Sequence, residues 1–109
     1  MSSESSSRQG RQLHLGTGVF MSPDCEIDDR GPVAIGDDVV LGPHVLIRAE
    51  PDRGVRIGPR AWLGEGARVE PGASIGPGAM ICAGTVVEGE VPPHAVFEGN
   101  PPQVVWYLK

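Results

Sequence analysis

The chain is poor in cysteine and aromatic residues and has no run of Lys or Arg, and these scarcities narrow what it can be. Its two cysteines, Cys25 and Cys82, form no metal-type pair, and a disulfide framework in so small a chain would normally use more of them. Both are expected as small buried thiols. Without a basic run, and with a net charge of −5 at pH 7 over 109 residues, neither nucleic acid nor an anionic membrane surface is the expected partner. Residues 1–12 are Ser-rich and polar with no apolar stretch, so they read as neither a secretory signal nor a membrane anchor. They are expected to form a disordered tail, and the protein to be cytoplasmic. Three widely separated histidines, His14, His44 and His94, do not make a metal site.

Glycine and proline are what the chain has in plenty, 16 and 11 residues respectively. Scattered, they would indicate disorder; spaced regularly, they mark repeated turns. The spacing is regular. An aliphatic residue recurs every six positions as Leu15, Met21 and Ile27, then Ile35, Leu41 and Ile47, then Ile57, Leu63, Val69, Ile75, Ile81 and Val87. Glycine follows it at Gly36, Gly42, Gly58, Gly64 and Gly76. Four positions after each aliphatic stands a second small or β-branched residue, as at Val39, Val45, Ala61, Ala67, Ala73, Ala79, Thr85 and Val91. The positions between hold turn-forming residues.

Each hexad is therefore one short strand and one corner, and three hexads make one triangular coil. Gly and Pro at this density would cost about 1 and 3 kcal/mol each inside a helix, which excludes a helical reading. Four coils are expected, starting at Leu15, Ile35, Ile57 and Ile75. The intervals place a two-residue insertion in coil one and a four-residue insertion in coil two, each after the third hexad. Residues 13–91 are read as an all-β parallel β-helix and 92–109 as a capping tail. That tail, with Val104, Val105, Trp106, Tyr107 and Leu108, is apolar enough to cover one open end or reach a neighbouring subunit, and a homotrimer is predicted.

The run Ile57-Gly-Pro-Arg-Ala-Trp-Leu-Gly-Glu-Gly-Ala67, the run Val69-Glu-Pro-Gly-Ala-Ser-Ile-Gly-Pro-Gly-Ala79, then Ile81-Cys-Ala-Gly-Thr-Val-Val87, the Val91-Pro92-Pro93 step and Gly99-Asn100-Pro101 resemble the closing coils of hexapeptide-repeat acyltransferases of the maltose, galactoside and xenobiotic acetyltransferase type. The match runs from about Ile35 to Val105. It implies a left-handed helix, a trimer, and acyl-CoA as co-substrate in a groove between subunits, with no metal. The corner residues matching the family's pantetheine contacts are Gly66, Ala67, Gly84 and Thr85. Trp62 matches a family aromatic and is read as a packing or interface residue.

Two departures bear on chemistry. The family's general base is a His on the long loop before the equivalent of Ile57, and here the shorter segment Ile47-Arg-Ala-Glu-Pro-Asp-Arg-Gly-Val-Arg56 has none. Glu50 or Asp52 stands near that place, flanked by arginines that would disfavour its acting as a base. His44, at a corner of coil two, is the other candidate, and His44 and Glu50 are the expected catalytic residues. Where many relatives carry a basic residue for CoA phosphate, this chain has Glu88 and Glu90, leaving Arg60, Arg68 or Lys109 as substitutes. Two readings follow. One is an acyl-CoA-dependent acyltransferase acting on a hydroxyl or amine of a sugar or small metabolite. The other is a non-catalytic trimeric β-helix serving as a scaffold or accessory subunit.

Overall fold

A computed structural model describes residues 12–108. All but Gln12 of the expected disordered tail lies outside the described residues, as does Lys109. The described chain contains strands, turns and bends but no helix, as six-residue phasing with glycine and proline at the corners requires.

Fifteen strands, numbered in chain order, wind as a left-handed parallel β-helix of triangular section. The first face stacks β1 (Leu13–Leu15), β4 (Val33–Ile35), β7 (Val55–Ile57), β10 (Ser74–Ile75) and β13 (Glu90–Val91). The second stacks β2 (Phe20–Met21), β5 (Val40–Leu41), β8 (Trp62–Leu63), β11 (Met80–Ile81) and β14 (Ala95–Gly99), and ends on β15 (Pro102–Tyr107). The third stacks β3 (Glu26–Asp29), β6 (Leu46–Ala49), β9 (Arg68–Val69) and β12 (Val86–Val87).

Register fixes the insertions. Ile35 pairs with Leu15 and Ile57 with Ile35, whereas Ile75 follows Ile57 at the unexpanded interval. The extra residues lie between Asp29 and Val33 and between Ala49 and Val55, both at the corner joining the third face to the first. These two loops stack on each other so closely that a Cβ on Gly31 would run into the carbonyl oxygen of Glu50. That close approach needs a residue without a side chain.

Parallel stacking continues beyond Val91. Val91 pairs with Ile75 and Phe97 with Ile81, because the corner after Val87 is two residues shorter than the one after Val69. Val91 therefore occupies an aliphatic first-row position, not the second-row position that uninterrupted hexads would give it. The chain then reverses, and β15 runs antiparallel along β14, adding a last strand to the second face.

The inward rows form one core from Val33 to Ala95. Coil one is the exception: Leu15 keeps 46% and Met21 37% of its surface exposed, and Ile27 is half-buried. Coils two to four are covered above and below, whereas no described coil lies below coil one. Cys25 belongs to this open coil. It and Cys82 are free and half-buried, not buried as expected.

The outward rows of the three faces differ in chemistry. The first face presents His14, Ala34, Arg56, Ser74 and Glu90 in register. The third presents Glu26, Leu46, Arg68 and Val86 in register, beside a charged column of Asp28, Arg48, Glu70 and Glu88, in which Glu70 accepts from Arg48 and forms an ion pair with Arg68. On the second face the outward column reads Phe20, Val40, Trp62, Met80, Val96 and Trp106. Every member is apolar, and Phe20, Trp62 and Trp106 remain 58%, 44% and 67% exposed.

Candidate active site

Between the second and third faces each coil turns through four residues, at 22–25, 42–45, 64–67 and 82–85. Strand register places Asp24, His44, Gly66 and Gly84 in one column along this edge, about 4.8 Å apart per coil. Backbone bonds between corners hold the upper part of the column: Gly66 N donates to Pro43 O and Gly84 N to Glu65 O, both at 2.9 Å. His44, Gly66 and Gly84 all turn through positive φ, at 61°, 72° and 71°. This conformation is open to His more readily than to most residues with a Cβ.

The imidazole of His44 reaches down this edge to coil one, where its Nε2 lies 3.3 Å from Asp24 Oδ2. Above it the column is bare. A Cβ on Gly84 would meet no atom within 4 Å, and one on Gly66 would meet only the backbone nitrogen of Gly84, at 4.0 Å. The result is a glycine column two coils long, flanked by the exposed Glu65 and Ala83, with an imidazole paired to a carboxylate at its foot.

Of the four residues expected at the cofactor corner, only Gly66 and Gly84 lie on this outer column. Ala67 and Thr85 point into the core and are buried; their N–H groups donate to Gly64 O and Cys82 O and close the turns. They set the shape of the corner and offer no side chain to a ligand. Ala83, which the sequence reading passed over, is exposed beside Gly84, and its N–H has no acceptor among the described residues.

Glu50 stands at a different corner, separated from His44 by strand β6. The loop bearing it is a tight turn in which Glu50 and Arg53 exchange backbone hydrogen bonds of 3.0 and 2.9 Å. Its carboxylate lines a charged groove with Arg48, Arg53, Glu70, Pro71 and Glu88. The structure thus does not bring His44 and Glu50 together within one subunit. Arg68 flanks the glycine corner but is engaged by Glu70 at 3.3 Å, while Arg60 turns the corner between the first and second faces.

Asp24 was missed in the sequence, although the 20-residue interval between coils one and two places it directly beneath His44. Asp29 was missed too. It is buried on β3 opposite Ala49, and its Oδ2 has no hydrogen-bond partner among the described residues. Cys82 begins the uppermost of the four corners and donates from Sγ to Glu98 Oε1 at 3.7 Å. Burial and the adjacent Glu98 carboxylate push its thiol pKa above the ordinary value. Among the described residues no group of three His, Cys, Asp or Glu could hold a metal, and no helix is long and apolar enough to cross a membrane.

Residues 54–89 match the bacterial transferase hexapeptide family, described as six repeats. Nodulation protein L of Rhizobium meliloti is 38% identical over 109 residues, an overlap covering 87% of this chain and 60% of that protein. The structure of a maltose O-acetyltransferase from Clostridium difficile superimposes with a TM-score of 0.85 at 33% identity, covering 92% of this chain and 61% of that one. A galactoside acetyltransferase in complex with coenzyme A gives a TM-score of 0.86 at 27% identity, with 92% and 57% covered. The chain spans between half and three-fifths of the length of the first curated relatives it matches. By its repeat, its coil architecture and these likenesses, the chain is a hexapeptide-repeat β-helix similar to the acyltransferases built on that repeat.

Proposed function

We propose that this protein is an acyl-CoA-dependent acyltransferase, acting in the cytoplasm as a homotrimer on a hydroxyl or amine of a sugar or small metabolite. The observation that carries the proposal is the bare Gly66–Gly84 strip ending on His44. A pantetheine arm is long, thin and amide-bearing. It fits the Gly66–Gly84 column, where the N–H of Ala83, which has no acceptor among the described residues, is available to one of its carbonyls. The coenzyme A complex of the galactoside acetyltransferase supports the choice of co-substrate.

With the thioester at the foot of the strip, His44 takes the proton of the acceptor O–H or N–H as that atom attacks the carbonyl carbon. The C–S bond breaks, and the leaving thiolate recovers the proton from the imidazolium, giving acylated acceptor and CoA thiol. Ala67 and Thr85 serve by keeping the corners small. Glu50 would serve as a base at this edge only when supplied across a subunit boundary. The apolar column on the second face supports assembly, since contiguous apolar surface of this kind marks an interface.

Calorimetry of acetyl-CoA against the purified protein tests the proposal, with free CoA as comparison. Saturable binding near one site per subunit is expected, lost in Gly84→Val. No binding at millimolar ligand would overturn the transferase reading. It would favour the scaffold reading, for which the closed turn at Glu50 and Arg53, in place of a base-bearing loop, is the motivating observation.

A further inference from the structure

We infer that Asp24 is a positioning residue for His44, so that the base of this site is a carboxylate–imidazole pair built across two coils; the inference rests on the acyltransferase reading above. The two residues lie 20 positions apart, and the coil interval alone brings them to 3.3 Å through Nε2 and Oδ2. An imidazole whose Nε2–H donates to a carboxylate presents Nδ1 as its free acceptor. Nδ1 is then the atom that takes the acceptor's proton, and Asp24 faces the positive charge while the imidazolium exists. Asp24 itself neither gains nor loses a proton in the cycle.

The pair answers a specific need. His44 is largely exposed, at 63% of its side chain, and stands on a corner with positive φ. Above it in its own column stand Gly66 and Gly84, which have no side chain to set against the ring. The Asp24 carboxylate below, at ion-pair distance from Nε2, is the restraint the structure provides. A ring free to rotate would present either nitrogen, or neither, to the acceptor, and catalysis by proton transfer depends on that geometry.

The test is a double-mutant cycle on the full chain with acetyl-CoA and with maltose and a methyl galactoside as acceptors, following CoA thiol release. Asp24→Asn is expected to lower kcat about tenfold, equivalent to ~1.4 kcal/mol of transition-state stabilisation, leaving KM for acetyl-CoA unchanged. Asp24→Glu should restore part of the loss. In a His44→Ala background the same Asp24→Asn change should cost nothing further, because a residue acting only through His44 has no remaining route of action.

An equal cost in both backgrounds would show that Asp24 acts independently and would overturn the inference. So would a rise in KM at constant kcat. Full activity in His44→Ala would instead overturn His44 as the base, and wild-type protein that binds no acetyl-CoA would overturn the transferase reading itself. The three failures are therefore separable. Asp24 is 48% exposed, so its replacement is not expected to unfold the coil, and unchanged circular dichroism would check this.

Discussion

Replacing Trp62 with Glu should dissociate the proposed homotrimer while leaving each coil folded. Trp62 projects outward from β8 and its neighbour Leu63 projects inward, so the change touches no core contact. Phe20, Trp62 and Trp106 together expose roughly 300–450 Å² of aromatic surface. At ~25 cal/mol per Å², covering it would contribute about 8–11 kcal/mol per face. Association costs about 4–15 kcal/mol in lost translational and rotational freedom, so the face is needed and has little surplus. Trp62 alone supplies about 2–3 kcal/mol of that gain, and a carboxylate placed between Val40 and Met80 adds a desolvation penalty. A dissociation constant at least about 100-fold weaker follows. Sedimentation velocity over a dilution series would measure it, with circular dichroism to verify folding and Ala34→Glu on the polar first face as the control. If Trp62→Glu sediments as wild type at every concentration, or if Ala34→Glu dissociates equally, the second face is not the interface.

Three further outcomes are expected. Leu63→Ala should cost about 2–5 kcal/mol and Leu15→Ala less than half as much, because Leu15 is 46% exposed; denaturant unfolding at one fixed protein concentration would compare them, and equal losses would mean that coil one is covered in solution. Gly84→Val places a β-branched residue at a φ of 71° and fills the strip, so acetyl-CoA binding by calorimetry should weaken at least about tenfold. The raised pKa of Cys82 holds the thiol protonated at neutral pH, and the thiolate is the nucleophile. Alkylation by iodoacetamide at pH 8 should therefore accelerate in Glu98→Gln, which removes the opposing charge; a rate unchanged from wild type would refute that cause.

The solenoid was legible because its signal is redundant. Twelve aliphatics at one period, with glycine and proline at the intervals, leave a single way to bury them, and nine of the twelve are buried. The two insertions were legible for the same reason, since any extra residue breaks the phase. The phase did not reveal the shortened corner at Glu88 and Gly89, because Val91 suits either inward row. Nor could local periodicity say that the first coil would be left open. The site was less legible than the fold. Ala67 and Thr85 match the pattern of a binding corner, yet the fourth residue of each corner faces inward, and their side chains are spent on the core. Asp24 and His44 become partners only through the coil interval, a long-range consequence of the repeat that inspection of either residue's neighbours does not disclose.

The bare strip also bears on whether the corner is shaped for a ligand or only for turning. If positive φ alone dictated glycine, every such corner would carry it, but this chain turns through positive φ with Asp38, His44, Arg60 and His94 as well. If packing dictated it, a Cβ at Gly84 would strike a neighbour, and it would meet none. Neither backbone geometry nor crowding within the subunit therefore requires the strip to be empty. A scaffold would gain nothing from leaving it so. A transferase would, because the closed turn at Glu50 and Arg53 removes the loop that could carry a base to the acyl group, and the acyl group must then be carried to a base on the coil itself. The strip leads to His44, the one imidazole among the described residues held by a carboxylate.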